Sequence, residues 1–187
     1  MEKLIRELLK RIGENPDREG LKKTPGRVKK GYEFLTKGYH EDPMKIIKGA
    51  IFKENCNHMI IVKDIEFYSL CEHHMLPFFG KCYIGYISKN RVYGVSKLAR
   101  VVECYSRRLQ VQERLTQQIA RIVKDAIHAE GVGVVIEARH LCMMMRGVQK
   151  QNSIMVTSAM LGSFHDDVAT RTEFLDLIGR RSSMELL

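Results

Sequence analysis

Two short stretches of the chain carry groups suited to metal chemistry. In "YSLCEHHMLPFFG", Cys71 and His74 stand at C-x-x-H spacing with His73 beside them. One tight turn at that spacing presents a thiolate and an imidazole to a single ion. In "ARHLCMMM", His140 and Cys142 stand two apart. In a strand that spacing puts both on one face, where they continue the apolar stripe of Val134, Ile136 and Ala138. Such soft and borderline donors suit zinc. Structural zinc sites usually show two knuckles, whereas here one knuckle meets a single distant segment, which favours three ligands and an open position. Cys71, His74 and Cys142 are the candidate ligands. His73 and His140 then remain free to move protons, because imidazole titrates near neutrality. Cys56, Cys82 and Cys104 have no His or Cys at ligand spacing and read as packing residues, as does Met143-Met144-Met145.

A second constellation is polar and basic. "GVSKLAR" puts Ser96, Lys97 and Arg100 on the first turn of a predicted helix, where free N–H groups and the helix dipole favour phosphate. Arg146 lies just beyond the "HLCMMM" segment, within reach of the same pocket. "QVQERL" places Gln112 and Glu113 at the start of the next helix, where a carboxylate accepts paired hydrogen bonds from a planar donor edge such as that of guanine.

These groups need elements to hold them. Leu4, Ile5, Leu8, Leu9 and Ile12 repeat at helical spacing, and "GENPDREG" breaks the pattern. Thr24 followed by Pro25 reads as an N-cap with proline at the first helical position, and "HEDP" as the close of a helical N-terminal part, residues 1–48. From there to residue 187 the texture is that of a second domain. "MIIVKDIEFYSL" and "KCYIGYI" read as strands joined by the His-rich turn, and "RVYGV" as a short strand. Ser96 reads as the N-cap of a helix carrying Leu98, Val101, Val102 and Tyr105. Another helix runs from about Val111 to Glu130 and stops at Gly131. "GVGVVIEARHLCMMM" and "SIMVTSAML" read as paired strands, "ATRTEFLDLIGR" as a last helix, and "RRSSMELL" as a loose tail. The order ββ, αα, ββ favours antiparallel α+β over a doubly wound sheet.

The 187 residues, 44% apolar, suffice for a core. Five cysteines are an odd number and read as cytosolic thiols, and the first residues offer no signal-peptide cleavage site. No apolar run approaches the roughly 18 residues of a membrane span. The net charge of +9 points to an anionic partner, either nucleic acid or a substrate bearing several phosphates.

Together, "CEHHMLPFFGKCYIGYI", "GVSKLARVVECYSRRLQVQERLTQQIA", "ARHLCMMMRGV" and "TSAMLGSF" resemble the zinc-dependent GTP cyclohydrolase I family, and "PDREGLKKTPGRVKKGYEFL" resembles its N-terminal helices. The likeness spans about Gly13 to Ile178. It implies the tunnelling fold: an antiparallel sheet with helices on one face and an N-terminal helical extension, joined between subunits into a barrel. It implies one zinc per subunit on Cys71, His74 and Cys142, and a zinc-activated water attacking C8 of the guanine of GTP. His73 and His140 would shuttle protons as the ring opens and formate leaves, and Ser96 would act at the ribose. Gln112 and Glu113 match guanine contacts, and Lys97, Arg100, Arg146 and Lys30 match triphosphate contacts. The product implied is 7,8-dihydroneopterin triphosphate, at the head of tetrahydrofolate and pterin synthesis. The implied assembly is a cytoplasmic homodecamer of two pentamers with sites between subunits, which lets the distant Lys30 serve a neighbour's site. One departure is Leu109, where family members often carry proline.

Other classes fit less well. Nitrile reductases of the same fold act through a cysteine without this zinc set. A basic nucleic-acid module needs aromatics interleaved with Lys and Arg on an exposed face, and zinc deaminases need H-x-E with P-C-x-x-C. Neither pattern occurs, so no nucleic acid and no membrane is expected as a partner.

Overall fold

The structure is a computed structural model that describes residues 1–179; the "RRSSMELL" tail lies outside the described residues. In chain order the elements are α1 Glu2–Arg11, α2 Thr24–Leu35, a 3-10 turn Lys37–His40, α3 Pro43–Lys48, β1 Ile51–Phe52, β2 Ile60–Cys71, β3 Pro77–Ile87, β4 Val92–Tyr93, α4 Val95–Ser106, β5 Leu109–Gln110, α5 Gln112–Ile127, β6 Gly131–His140, α6 Leu141–Met144, β7 Met155–Gly162, α7 Ser163–Asp166 and α8 Val168–Gly179.

β1 pairs with β4, and the other strands form one sheet in the order β5-β2-β3-β6-β7. The long pairings β2–β3, β3–β6 and β6–β7 are antiparallel. Short β5 joins β2 in parallel, at Leu70 and Cys71 alone. The α+β architecture therefore stands, and it follows from strand alternation. Cys82, Ile84 and Tyr86 of β3, with Val132, Val134 and Ile136 of β6, share a face. Onto it α4 brings Leu98, Val101 and Val102, and α5 brings Leu115, Ile119 and Val123. Each buried aliphatic side chain contributes about 1.5–3 kcal/mol of apolar transfer. The opposite face is covered at one end by Phe164 of α7 and Phe174 of α8, packed on Tyr83 and Val135. They approach because Gly133 lies beneath: a Cβ there would stand 2.5 Å from the Phe164 ring.

Several helix starts differ from the sequence reading. "HEDP" opens α3 rather than closing the helical segment. The Asp42 carboxylate accepts from the N–H of Met44 at 2.9 Å and Lys45 at 3.3 Å, and Pro43 occupies the first turn, where its missing N–H costs nothing. Lys23 takes the N-cap place of α2, with Thr24 already inside the helix. Gly94 takes that place for α4, so Ser96 sits exposed within the first turn. α5 ends at Ile127, three residues before Glu130, and is capped by His128 in the left-handed region (φ 54). Gly131 opens β6 instead.

Candidate metal centre and active site

The His-rich turn joins β2 to β3 and is closed by its own backbone. The N–H of Met75 donates to Cys71 O at 2.7 Å, and the N–H of Cys71 to Leu76 O at 2.9 Å. Cys71 is buried against the core, while His73 and His74 are exposed at the rim. The Cys71 Sγ lies 3.9 Å from His73 Nδ1 and 3.8 Å from His74 Nδ1. Cys142 arrives from the far side of β3. It stands on the helical turn α6, not on the strand as the sequence suggested, because β6 ends at His140. That turn swings the thiol inward. One ligand atom from each of Cys71, His74 and Cys142 lies within 4.8 Å of the others.

Ligand atoms around a tetrahedral zinc stand about 3.6–3.8 Å apart, so small side-chain rotations close this set on an ion. Two thiols and an imidazole are also a donor set that such an ion prefers. The Cys142 thiol is held above its ordinary pKa by burial and then by Cys71 beside it, a repulsion that a divalent cation reverses. Arg146 Nη1 lies 3.2 Å from His74 Nε2, which brings one candidate phosphate contact to this same end.

His140 lies on the core face of β6, paired with Phe78 across the sheet, and its ring stacks on Phe78 at 4.7 Å and 2°. Its Nε2 is 2.8 Å from Gln112 Oε1. Burial lowers the His140 pKa, partly opposed by the Glu113 carboxylate. Glu113 is exposed on the first turn of α5, near enough for its charge to act on His140. Gln112 differs from the sequence expectation. The residue is 1% exposed, and its side-chain amide turns into the sheet onto the carbonyls of Ile136 and Met155.

A model of the GTP cyclohydrolase I family matches residues 1–179. The chain belongs to that family. GTP cyclohydrolase 1 of Leptospira biflexa is 59% identical over 178 residues, covering 95% of this chain and 97% of that protein. The Methylococcus capsulatus protein of the same name is 56% identical, covering 97% and 98%. Among solved structures, the archaeosine synthase QueF-Like in its apo form aligns with a TM-score of 0.47 and 17% identity, over 56% of this chain and 93% of that one.

Not every residue implied by the GTP cyclohydrolase I resemblance meets in one chain. Cys71, His73, His74, Gln112, Glu113, His140, Cys142 and Arg146 gather at the end of the sheet where β2 turns into β3. Ser96, Lys97 and Arg100 belong to the start of α4, which follows β4 at the other end, where the N–H of Tyr93 donates to the Tyr86 hydroxyl at 3.1 Å. Tyr86 and Pro77 are nine residues apart on β3, about 30 Å of strand. Lys30 sits exposed on α2.

Sequence reading also missed supporting residues. Arg114 forms a two-armed pair with Glu72, its second arm at 3.0 Å, and so ties α5 to the His-rich turn. Arg114 holds the Glu72 carboxyl below its usual range. A charge of each sign beside two functional segments was the available signal. Cys56, assigned no histidine partner, lies 3.4 Å from His58 Nε2 through a local turn. Leu109, at the family's usual proline position, donates its N–H to the Tyr39 hydroxyl at 3.1 Å, a bond that proline lacks.

Proposed function

We propose that this chain catalyses the GTP cyclohydrolase I reaction, the hydrolytic opening of the guanine imidazole ring of GTP at C8 with loss of formate and closure to 7,8-dihydroneopterin triphosphate, the first step of tetrahydrofolate and pterin synthesis. The observation that carries this reading is the convergence of Cys71, His74 and Cys142, with His140 fixed beside them. Zinc bound by those three residues, one per chain, supplies Lewis acidity that makes water nucleophilic near neutral pH.

The chain's own groups do the rest. The exposed Glu113 carboxylate accepts N1–H and N2–H2 of guanine. His140 and His73 take and return protons as the C8–N bond breaks and formate leaves; burial keeps His140 neutral at physiological pH and so able to accept. Arg146 at the rim, with Lys97, Arg100 and Lys30, neutralises the triphosphate, and Ser96 hydrogen-bonds at the ribose.

The second set comes from a neighbouring copy. Two features support this. The start of α4 is too far from the thiols within one chain, and the sheet has open edges at β7 and along most of β2. Joining such edges head to tail gives a ring, here pentamers stacked as a homodecamer. No helix among the described residues is long and apolar enough to cross a membrane, and we place the enzyme in the cytoplasm. Incubation with GTP followed by oxidation is expected to yield a fluorescent pterin and one equivalent of formate. Purified, zinc-replete protein that yields neither rejects the reading.

A further inference from the structure

We infer that Gln112 is a positioning residue that fixes the tautomer of His140, keeping the proton on Nε2 and leaving Nδ1 as the lone-pair nitrogen. This deepens the proposed function and rests on the proton-transfer role given there to His140.

The inference follows from counting protons. A glutamine amide has two ends of similar shape, one donating and one accepting, and its hydrogen bonds decide which is which. One end of the Gln112 amide lies 3.0 Å from the carbonyl oxygen of Ile136 and 3.0 Å from that of Met155. Both carbonyls only accept, so this end is the NH2. The other end is therefore the carbonyl oxygen, and it lies 2.8 Å from His140 Nε2. An oxygen that only accepts requires a donor, so Nε2 carries the proton. The neutral ring then bears its lone pair on Nδ1.

The surroundings leave no slack for the reverse arrangement. The Thr116 hydroxyl lies 2.7 Å from the backbone carbonyl of Gln112, which only accepts, so its proton is committed there. Thr157 must then donate to Thr116, 2.7 Å away, and its oxygen also faces the Gln112 NH2 at 3.1 Å. Turning the amide over would set its oxygen against two carbonyl oxygens at a site 1% exposed, where water does not compete. The stack on Phe78 holds the plane of the imidazole. Gln112 thus acts through His140 and does not touch the substrate with its side chain. Proton exchange at His140 runs through Nδ1, and the Gln112 oxygen faces the Nε2–H that is common to the neutral and the protonated ring.

The test is solid-state 15N NMR of zinc-loaded protein labelled at histidine, at about pH 8, with the His140 signals identified by their loss in His140→Gln. The expected spectrum shows Nε2 protonated and Nδ1 not. Gln112→Met removes the acceptor at similar length; an Nδ1–H population is expected to appear. In that variant kcat for formate release should fall about tenfold or more, with KM for GTP within about twofold and zinc content unchanged. A wild-type His140 protonated on Nδ1 overturns the inference even if no variant folds. So does a Gln112→Met variant with an unchanged tautomer, or one whose KM rises while kcat holds. Lack of GTP turnover by the wild type would reject the proposed function and leave the tautomer result standing.

Discussion

The two ends of the sheet differ in how far one chain completes them. At the Cys71 end, a strand turn and a post-strand helical turn bring three metal-ligand candidates within 4.8 Å, and a buried amide from a helix start holds His140. At the Ser96 end, the same chain offers an exposed helix start and exposed Arg100, and neither Lys97 nor Arg100 joins an ion pair among the described residues. The first end is built by burial and hydrogen bonding, which need the correct fold of one chain. The second offers charge in water, where an isolated cation is held by little and gains strength once an anion and a second surface exclude solvent. The proposed function assigns chemistry that needs precise proton placement to the first end and binding of a mobile polyanion to the second.

That contrast is open to direct attack. The largest effect is expected from Cys142→Ala, which should lose bound zinc and at least about 10³-fold in pterin formation, measured by metal analysis and fluorescence. His140→Ala should keep its zinc and lose about 10²–10⁴-fold in formate release. Arg100→Ala or Lys97→Ala should raise KM for GTP about tenfold or more with zinc unchanged. At GTP well below KM, co-assembled Arg100→Ala and Cys142→Ala chains should regain part of the lost kcat/KM, and mixed assemblies no better than the average of their parents would show that the two ends do not combine across subunits. Glu113→Gln should reduce discrimination between GTP and ATP roughly tenfold, read as the ratio of kcat/KM values. The smallest change is expected for Glu72→Gln, a few-fold in kcat, because its pair with Arg114 is largely solvated.

Much of the fold was legible along the chain because apolar periodicity and the sheet's two faces are local patterns. Short apolar runs bounded by turn residues marked β2, β3, β6 and β7, and the helical repeat marked α4 and α5. Helix starts were less legible. A serine or threonine caps only from the N-cap place itself, and Gly94 and Lys23 occupied those places instead. "HEDP" was misjudged because Asp-Pro serves equally as a stop and as a start; the two N–H groups that Asp42 accepts decide the matter. The Cys142 ligand position was named for a strand geometry that does not exist; the helical turn α6 brings its thiol beside Cys71 and His74 instead.

The sequence alone determined which groups are present and how close they stand along the chain: a thiol and two imidazoles within four residues, a second thiol with its histidine, and a basic helix start. Those are matters of residue type and spacing. The tertiary structure alone decided which groups share a volume, which way the Gln112 amide points, and that the basic helix start lies a strand's length from the thiols. Such facts depend on contacts between residues far apart in the chain, and on hydrogen-bond partners with only one possible role, neither of which spacing encodes.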